Sequence, residues 1–152
     1  MTILATVRQH GWDFPLFVHV LGAMILVGGL LTGASCLALA RGDARFLRLG
    51  YRALLAVALP GWILMRVGAE WIASKEGWTA KGVPTPTWLG IGFALADIGG
   101  IILLVSLVIG GFGVRRLRAG QGSALLRTTL VLSVVLLGAY VVAVWAMAGK
   151  PS

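Results

Sequence analysis

The sequence predicts an all-α integral membrane four-helix bundle, and three observations predict it. Four apolar runs, at about 14–40, 53–74, 88–114 and 123–148, each reach the ~20 residues that a bilayer-spanning helix needs. Of the 152 residues, 59% are hydrophobic and 12% charged, where a soluble domain carries about 25% charge. Most of the charges fall between the runs rather than along them. A soluble core of this length could not hide so much apolar surface. The expected architecture is one transmembrane domain over 1–152, with antiparallel up-down hairpins.

The first run, Phe14–Ala40, has His19 and Cys36 as its only ionisable groups. Gly29, Gly33 and Ala34 give it a small-residue face. It is about twice a signal-peptide core in length, and the tail before it carries only Arg8 and Asp13 as charges, so it reads as a spanning helix. Residues Arg41–Arg52 interleave four arginines with Phe46, Leu47, Leu49 and Tyr51, which predicts a turn lying in the headgroup layer. The second run holds Pro60-Gly61 in its first third. Proline removes a backbone bond there, so a kink is expected near Ala56–Pro60.

Lys75–Thr87 is a polar connection, too rich in proline (Pro84, Pro86) for a helix. In the third run Gly92, Ala96 and Gly100 recur every four residues, a small-residue face for close helix contact. Arg115–Gly122 is a basic connection, and the fourth run follows it.

The net charge of +8 does not imply nucleic acid, because the basic residues flank apolar runs and do not cluster on one polar element. The first and third connections with their flanks hold eight arginines: 41, 45, 48, 52, 115, 116, 118 and 127. The other side holds Arg8, Lys75, Lys81 and Lys150. Positive-inside bias therefore predicts a multi-pass protein of the plasma (cytoplasmic) membrane with both termini on the non-cytoplasmic side. Trp12, Trp71, Trp78, Trp88 and Trp145 fall at the outer interface on this reading, and only Trp62 lies deep. A single cysteine excludes an intrachain disulfide.

Besides the thiol Cys36 and Arg127, which is counted with the flank of its run, four ionisable residues lie inside the predicted spans: His19, Arg66, Glu70 and Asp97. A charge at the bilayer centre costs about 2.5–3.5 kcal/mol on insertion scales, so such groups face the interior and pair. At ~1.5 Å per residue, His19 lies ~8 Å below the outer helix end, Glu70 ~6 Å, Arg66 ~12 Å and Asp97 ~13 Å. Arg66 and Glu70 are spaced i,i+4 on one face, and Asp97 sits at the depth of Arg66. A buried polar cluster of these four residues is expected. It reads either as an ion-pair clasp fixing helix register, or as a proton-, metal- or cofactor-linked site opening outward.

His19 alone reads as a packing residue, a haem or metal ligand, or a proton relay. His10 lies outside the span, so a haem b on His19 would need a second protomer or a sulfur ligand such as Met24 or Met65. A copper site would recruit His19 with Met24, Met65, Met147 or Cys36, since soft sulfur suits Cu(I). Cys36 is too far along the helix to join His19. No phosphate loop, catalytic triad or Cys-x-x-Cys pair is present.

The stretch Phe17-Val18-His19-Val20-Leu21-Gly22-Ala23-Met24, then Gly28-Gly29, resembles the opening helix of the CopD-like superfamily. That superfamily includes copper-resistance D membrane domains, HemJ-type protoporphyrinogen oxidases and small uncharacterised four-helix proteins. The last group is the most similar, with an Arg-Val-Gly-Ala-Glu-Trp stretch at Arg66–Trp71. The resemblance implies a haem-binding role for His19. HemJ-type proteins also carry an intramembrane lysine, whereas Lys75, Lys81 and Lys150 here lie in connections or the tail.

The expected function is a haem-binding or electron-transfer-linked membrane protein using His19. Two alternatives stay open: an ion- or metal-linked transporter with a polar outer-leaflet site, or a non-catalytic accessory subunit. Expected partners are the lipid bilayer and a second copy or a membrane subunit, with no nucleic acid. Enzymatic activity is left undecided.

Overall fold

The computed structural model describes residues 13–78 and 87–149, and every described element is helical. The expectations for His10, Trp12, Lys81, Pro84 and Pro86 lie outside those residues. Helix α1 is Asp13–Leu39, α2 is Ala44–Ala53, α3 is Leu59–Lys75, α4 is Thr87–Arg118 and α5 is Ala124–Gly149. Leu54–Ala58 is a π-helical turn that joins α2 to α3 in one rod. Four stretches are long and apolar enough to cross a membrane: Phe14–Leu39, Ala44–Lys75, Thr87–Arg118 and Ala124–Ala148. Large apolar side chains such as Phe17, Met24, Leu31, Ile101, Val108 and Val141 point outward from the bundle. Such a surface suits lipid as the surrounding solvent, and the chain is built as a multi-pass membrane protein.

The predicted headgroup turn over Arg41–Arg52 is corrected. Only residues 40–43 turn; Arg41 (φ 42°) and Gly42 (φ 93°) take left-handed backbone to do it. Asp43 then caps α2, its carboxylate accepting from the Arg45 backbone N–H at 2.7 Å. The arginines are compatible with helix because their spacing is helical. Arg45, Arg48 and Arg52 fall three and four apart on one face, while Leu47, Gly50 and Ala53 are buried on the other.

The disturbance expected near Ala56–Pro60 takes a specific form. Pro60 has no N–H to offer the Ala56 carbonyl, and the preceding turn widens so that the Leu59 N–H reaches the Leu54 carbonyl five residues back. Pro60 itself is exposed, on the outside of the rod.

Packing starts with α1 against α3, through glycines seven residues apart on both helices. A Cβ at Gly22 would strike the Met65 backbone, and one at Gly61 the Leu26 backbone. A Cβ at Gly29 would lie 2.5 Å from Ala58 N, and one at Gly68 would lie 2.6 Å from His19 N. A seven-residue repeat of small side chains keeps one seam facing its partner along two helices. The contacts climb α1 as they descend α3, so the pair is antiparallel.

Helices α4 and α5 are also antiparallel: Gly92 faces Met147, Gly99 faces Tyr140 and Gly113 faces Leu126. The core runs through Leu26, Leu30, Leu54, Leu103, Leu126 and Leu136, all essentially without exposure. Helix α1 also packs on α5, whereas α3 and α4 touch sparsely. That open seam positions the site.

Candidate functional site

His19 is fixed from the backbone outward. Gly68 brings the α1 and α3 backbones together at this level. From there the His19 ring reaches one turn down α3, and Nδ1 lies 2.9 Å from the Met65 carbonyl oxygen. A carbonyl only accepts, so Nδ1 carries the proton and donates. The neutral ring then has its lone pair on Nε2, and no hydrogen bond to Nε2 is found among the described residues. A backbone carbonyl behind one ring nitrogen is the usual support for a histidine that binds a metal or accepts a proton through the other.

Arg66 reaches across the α3–α4 seam. Its Nε donates to Asp97 Oδ1 at 2.7 Å, and Nη1 lies 2.5 Å from Glu70 Oε1 as an ion pair along the same helix. Its guanidinium also sits 4.9 Å from the Phe93 ring centroid, at a distance where the ring face attracts a cation. Three of the four residues, Arg66, Glu70 and Asp97, are thus in contact through Arg66.

Two of the three are not buried. Glu70 and Asp97 are 52% and 53% exposed at the side chain, against 22% for Arg66. The cause is lateral: both carboxylates lie on the outer flank of the sparse seam. His19 is directed instead to the Met65 carbonyl and to the space between the helices.

That space is a cavity of about 450 Å³ walled by α1, α3, α4 and α5. Its lining is mostly aliphatic and aromatic, with Trp78, Trp88 and Phe93 among the rings. His19, Tyr140, Met65 and Met147 also line it, and Glu76 accompanies Trp78 on the α3 side. The Trp78 Nε1–H donates to Glu76 Oε2 at 2.5 Å. Arg66, Glu70 and Asp97 are not in the lining, but Phe93 is, so the triad braces one wall from behind.

The second brace is Trp62, whose Nε1–H donates to the Ala96 carbonyl at 2.9 Å while its ring lies against Gly100. The small residues of α4 therefore serve two neighbours: Gly92 meets α5, and Ala96 and Gly100 meet α3. Trp62→Phe keeps an aromatic side chain and drops the donor together with the indole edge that lies on Gly100. It is expected to lower stability by about 1 kcal/mol, read as a fall in the unfolding midpoint in detergent. An unchanged midpoint would show that the hydrogen bond does not hold the seam.

No family model, curated protein or solved structure matches this chain. Function is therefore read from the site itself. Of the sulfur candidates, Met65 and Met147 line the cavity with His19, while Met24 is 68% exposed on the outer surface. Cys36 lies 17 residues along α1 from His19, ~25 Å away by helical rise. Among the described residues no three His, Cys, Asp or Glu side chains converge as a metal site.

Sequence reasoning did not single out Tyr140. It is 4% exposed, lies in the cavity wall, and its hydroxyl has no hydrogen-bond partner among the described residues. The available signal was a phenol within an otherwise aliphatic stretch of α5, Val134–Val144.

Proposed function

We propose that the chain is an electron-transfer-linked membrane protein that holds an apolar ligand or cofactor in the interhelical cavity, with His19 as the polar anchor. The observation that carries this reading is the His19 Nδ1–Met65 carbonyl contact at 2.9 Å, which leaves the Nε2 lone pair for a ligand. The cavity's size lies within the range of small-molecule and cofactor sites.

Haem b, which the CopD-like resemblance suggests, fits in part. His19 would supply an imidazole and Met147 a thioether, since both line the cavity. The described lining has no cationic side chain for the haem propionates, and its one carboxylate is Glu76. Bound haem would supply one-electron chemistry at its iron.

The membrane placement is part of the proposal. Arg41, Arg45, Arg48, Arg52, Arg115, Arg116, Arg118 and Arg127 gather at the end of the bundle where α1 meets α2 and α4 meets α5. By positive-inside bias this end is cytoplasmic in a plasma membrane, which leaves the cavity and both termini on the far side.

A test compares the purified wild type with His19→Ala. Each is scanned for absorbance before and after haemin reconstitution, and its organic extract is searched for a redox-active chromophore. The expected result is a chromophore retained by the wild type and lost at least tenfold in His19→Ala. A wild type that retains none, or a variant that retains as much, overturns the reading.

A second reading has its own support. One cation faces two half-exposed carboxylates in the Arg66–Glu70–Asp97 group, which suits an ion-linked transporter or a seam covered by an accessory subunit or second copy. Carboxylates at this depth favour a polar partner.

A further inference from the structure

We propose that the corner between α2 and α4, at the arginine end of the bundle, binds the phosphate of an anionic phospholipid through Arg48, Arg115 and Arg118. This surface lies at the other end of the bundle from the cavity and does not rest on the His19 reading.

The inference begins with unbalanced charge. Eight arginines gather at this end, and Asp43 is the one acid among them in the sequence. Its carboxylate is taken up by the α2 cap, where it accepts from the Arg45 backbone N–H at 2.7 Å. None of the eight arginines makes an ion pair among the described residues. Positive-inside bias accounts for their side of the membrane, not for how they are grouped.

The grouping follows from one contact. Tyr51 of α2 packs on α4: a Cβ at Gly110 would lie 2.8 Å from the Tyr51 ring, and one at Gly111 3.1 Å from its hydroxyl oxygen. Residues three, four and seven apart share a helix face. Arg48 precedes Tyr51 by three, and Arg115 and Arg118 follow Gly111 by four and seven. Both directions lead to the same end, because α2 starts there and α4 stops there. At ~1.5 Å per residue, Arg48 lies ~4 Å and Arg115 ~6 Å beyond the contact. Arg48 is half-buried, and its Nε–H donates to the Ala44 carbonyl at 3.0 Å. That bond holds the side chain while its Nη groups stay available. Arg115 and Arg118 are exposed.

Three guanidinium groups on adjoining helix faces repel one another unless an anion joins them. A phosphate suits them, since guanidinium binds its oxygens in pairs. The neighbouring surface selects which phosphate. Leu55, Val108 and Phe112 are exposed on the bilayer side of the three arginines, and Leu49 is exposed beside Arg48. A headgroup phosphate on the arginines lays its acyl chains along those side chains. A soluble phosphate would leave them uncovered.

The test titrates the full chain, in a non-ionic detergent, with dioctanoyl phosphatidylglycerol and with dioctanoyl phosphatidylcholine. Native mass spectrometry counts the bound lipids. The wild type should take its first phosphatidylglycerol about tenfold more tightly than phosphatidylcholine, and added salt should shrink that preference. The triple variant Arg48→Gln, Arg115→Gln, Arg118→Gln should lose the preference, with an unfolding midpoint unchanged or higher because like charges are removed. Arg41→Gln, Arg45→Gln, Arg127→Gln is the control and should keep it. It removes the same charge from the same end, but Arg41 lies in the turn and the other two point elsewhere. Arg45 is ~120° round α2 from Tyr51, and Arg127 is ~160° round α5 from Thr129, which meets Gly110. Arg115→Gln alone alters one exposed side chain, places no load on the core, and should weaken phosphatidylglycerol binding about fivefold.

Equal affinity for the two lipids in the wild type, or unchanged binding in Arg115→Gln, overturns the proposal. Equal losses in the two triple variants overturn it too, since they leave only diffuse positive charge. Inorganic phosphate that displaces the lipid better than chloride does at equal ionic strength assigns the corner to a soluble anion and overturns the lipid.

Discussion

Gly22→Val should destabilise the protein more than any other single apolar substitution in α1, by about 3 kcal/mol or more. A Cβ at Gly22 collides with the backbone of Met65, not with a side chain that could swing away. The only relief is to push α1 and α3 apart, and that separation strips contacts along the whole seam, through Gly29–Ala58 and Gly68–His19. Overpacking of this kind typically costs 1–3 kcal/mol when side chains absorb it; backbone collision lies at the upper end. Gly61→Val, facing the Leu26 backbone, should behave alike.

Gly28→Val is the internal control. It makes the same chemical change on the same helix, with nothing within 4 Å of the new Cβ, and should stay within about 0.5 kcal/mol of wild type. Unfolding midpoints of the three variants in one detergent decide it. If Gly28→Val falls as far as Gly22→Val, the loss is one of glycine in the helix and not of the seam. Because Gly68 and His19 share this seam, Gly22→Val should also loosen the His19–Met65 contact and weaken any ligand held in the cavity.

The seam also marks where sequence reading stops. The four spans were legible because apolar length is read directly against bilayer thickness, and the turn at Pro60 because proline lacks a donor. The heptad glycines Gly22–Gly29 and Gly61–Gly68 are as visible in the sequence as the small-residue face of Gly29, Gly33 and Ala34. They carry meaning only once α1 is known to lie against α3. In α2 the arginines suggested a headgroup turn, yet charge does not oppose helix when Arg45, Arg48 and Arg52 share a face and Asp43 caps the start.

Depth along a helix is fixed by residue count, so Arg66 and Asp97 could be placed at one level with Glu70 one turn above. Direction around the helix depends on the neighbours. For that reason the exposure of the two carboxylates, and the turn of His19 toward Met65, were not legible. Tyr140 escaped because an uncharged phenol raises no alarm in a membrane span. Its hydroxyl shows as unpartnered only in the folded protein, as does that of Ser106.

Removing the charge of Arg66 is the second large effect expected. Arg66→Leu leaves Glu70 and Asp97 facing each other without a cation and takes the guanidinium off Phe93. Stripping one partner from a fully buried ion pair costs about 3–5 kcal/mol. Here both carboxylates are half exposed and within reach of the headgroup layer, so partial solvation by water and headgroups, and not aqueous screening, sets a lower cost of about 1–3 kcal/mol. The sign can be isolated by neutralising the partners as well. In Arg66→Leu combined with Glu70→Gln and Asp97→Asn, no orphan charge remains, and most of the lost stability should return, because isosteric replacement of a whole ionic group is often neutral.

Unfolding midpoints of the single and triple variants test this. A triple variant no more stable than Arg66→Leu would mean that the arginine acts by filling space beside Phe93 and not by neutralising the acids. The cavity gives a second readout. Phe93 lies between the guanidinium and the ligand space, so Arg66→Leu should alter ligand affinity while His19 remains intact. If the triple variant restores stability but not affinity, the Arg66–Phe93 contact shapes the wall directly. If it restores both, the charges act only through the closure of α3 on α4.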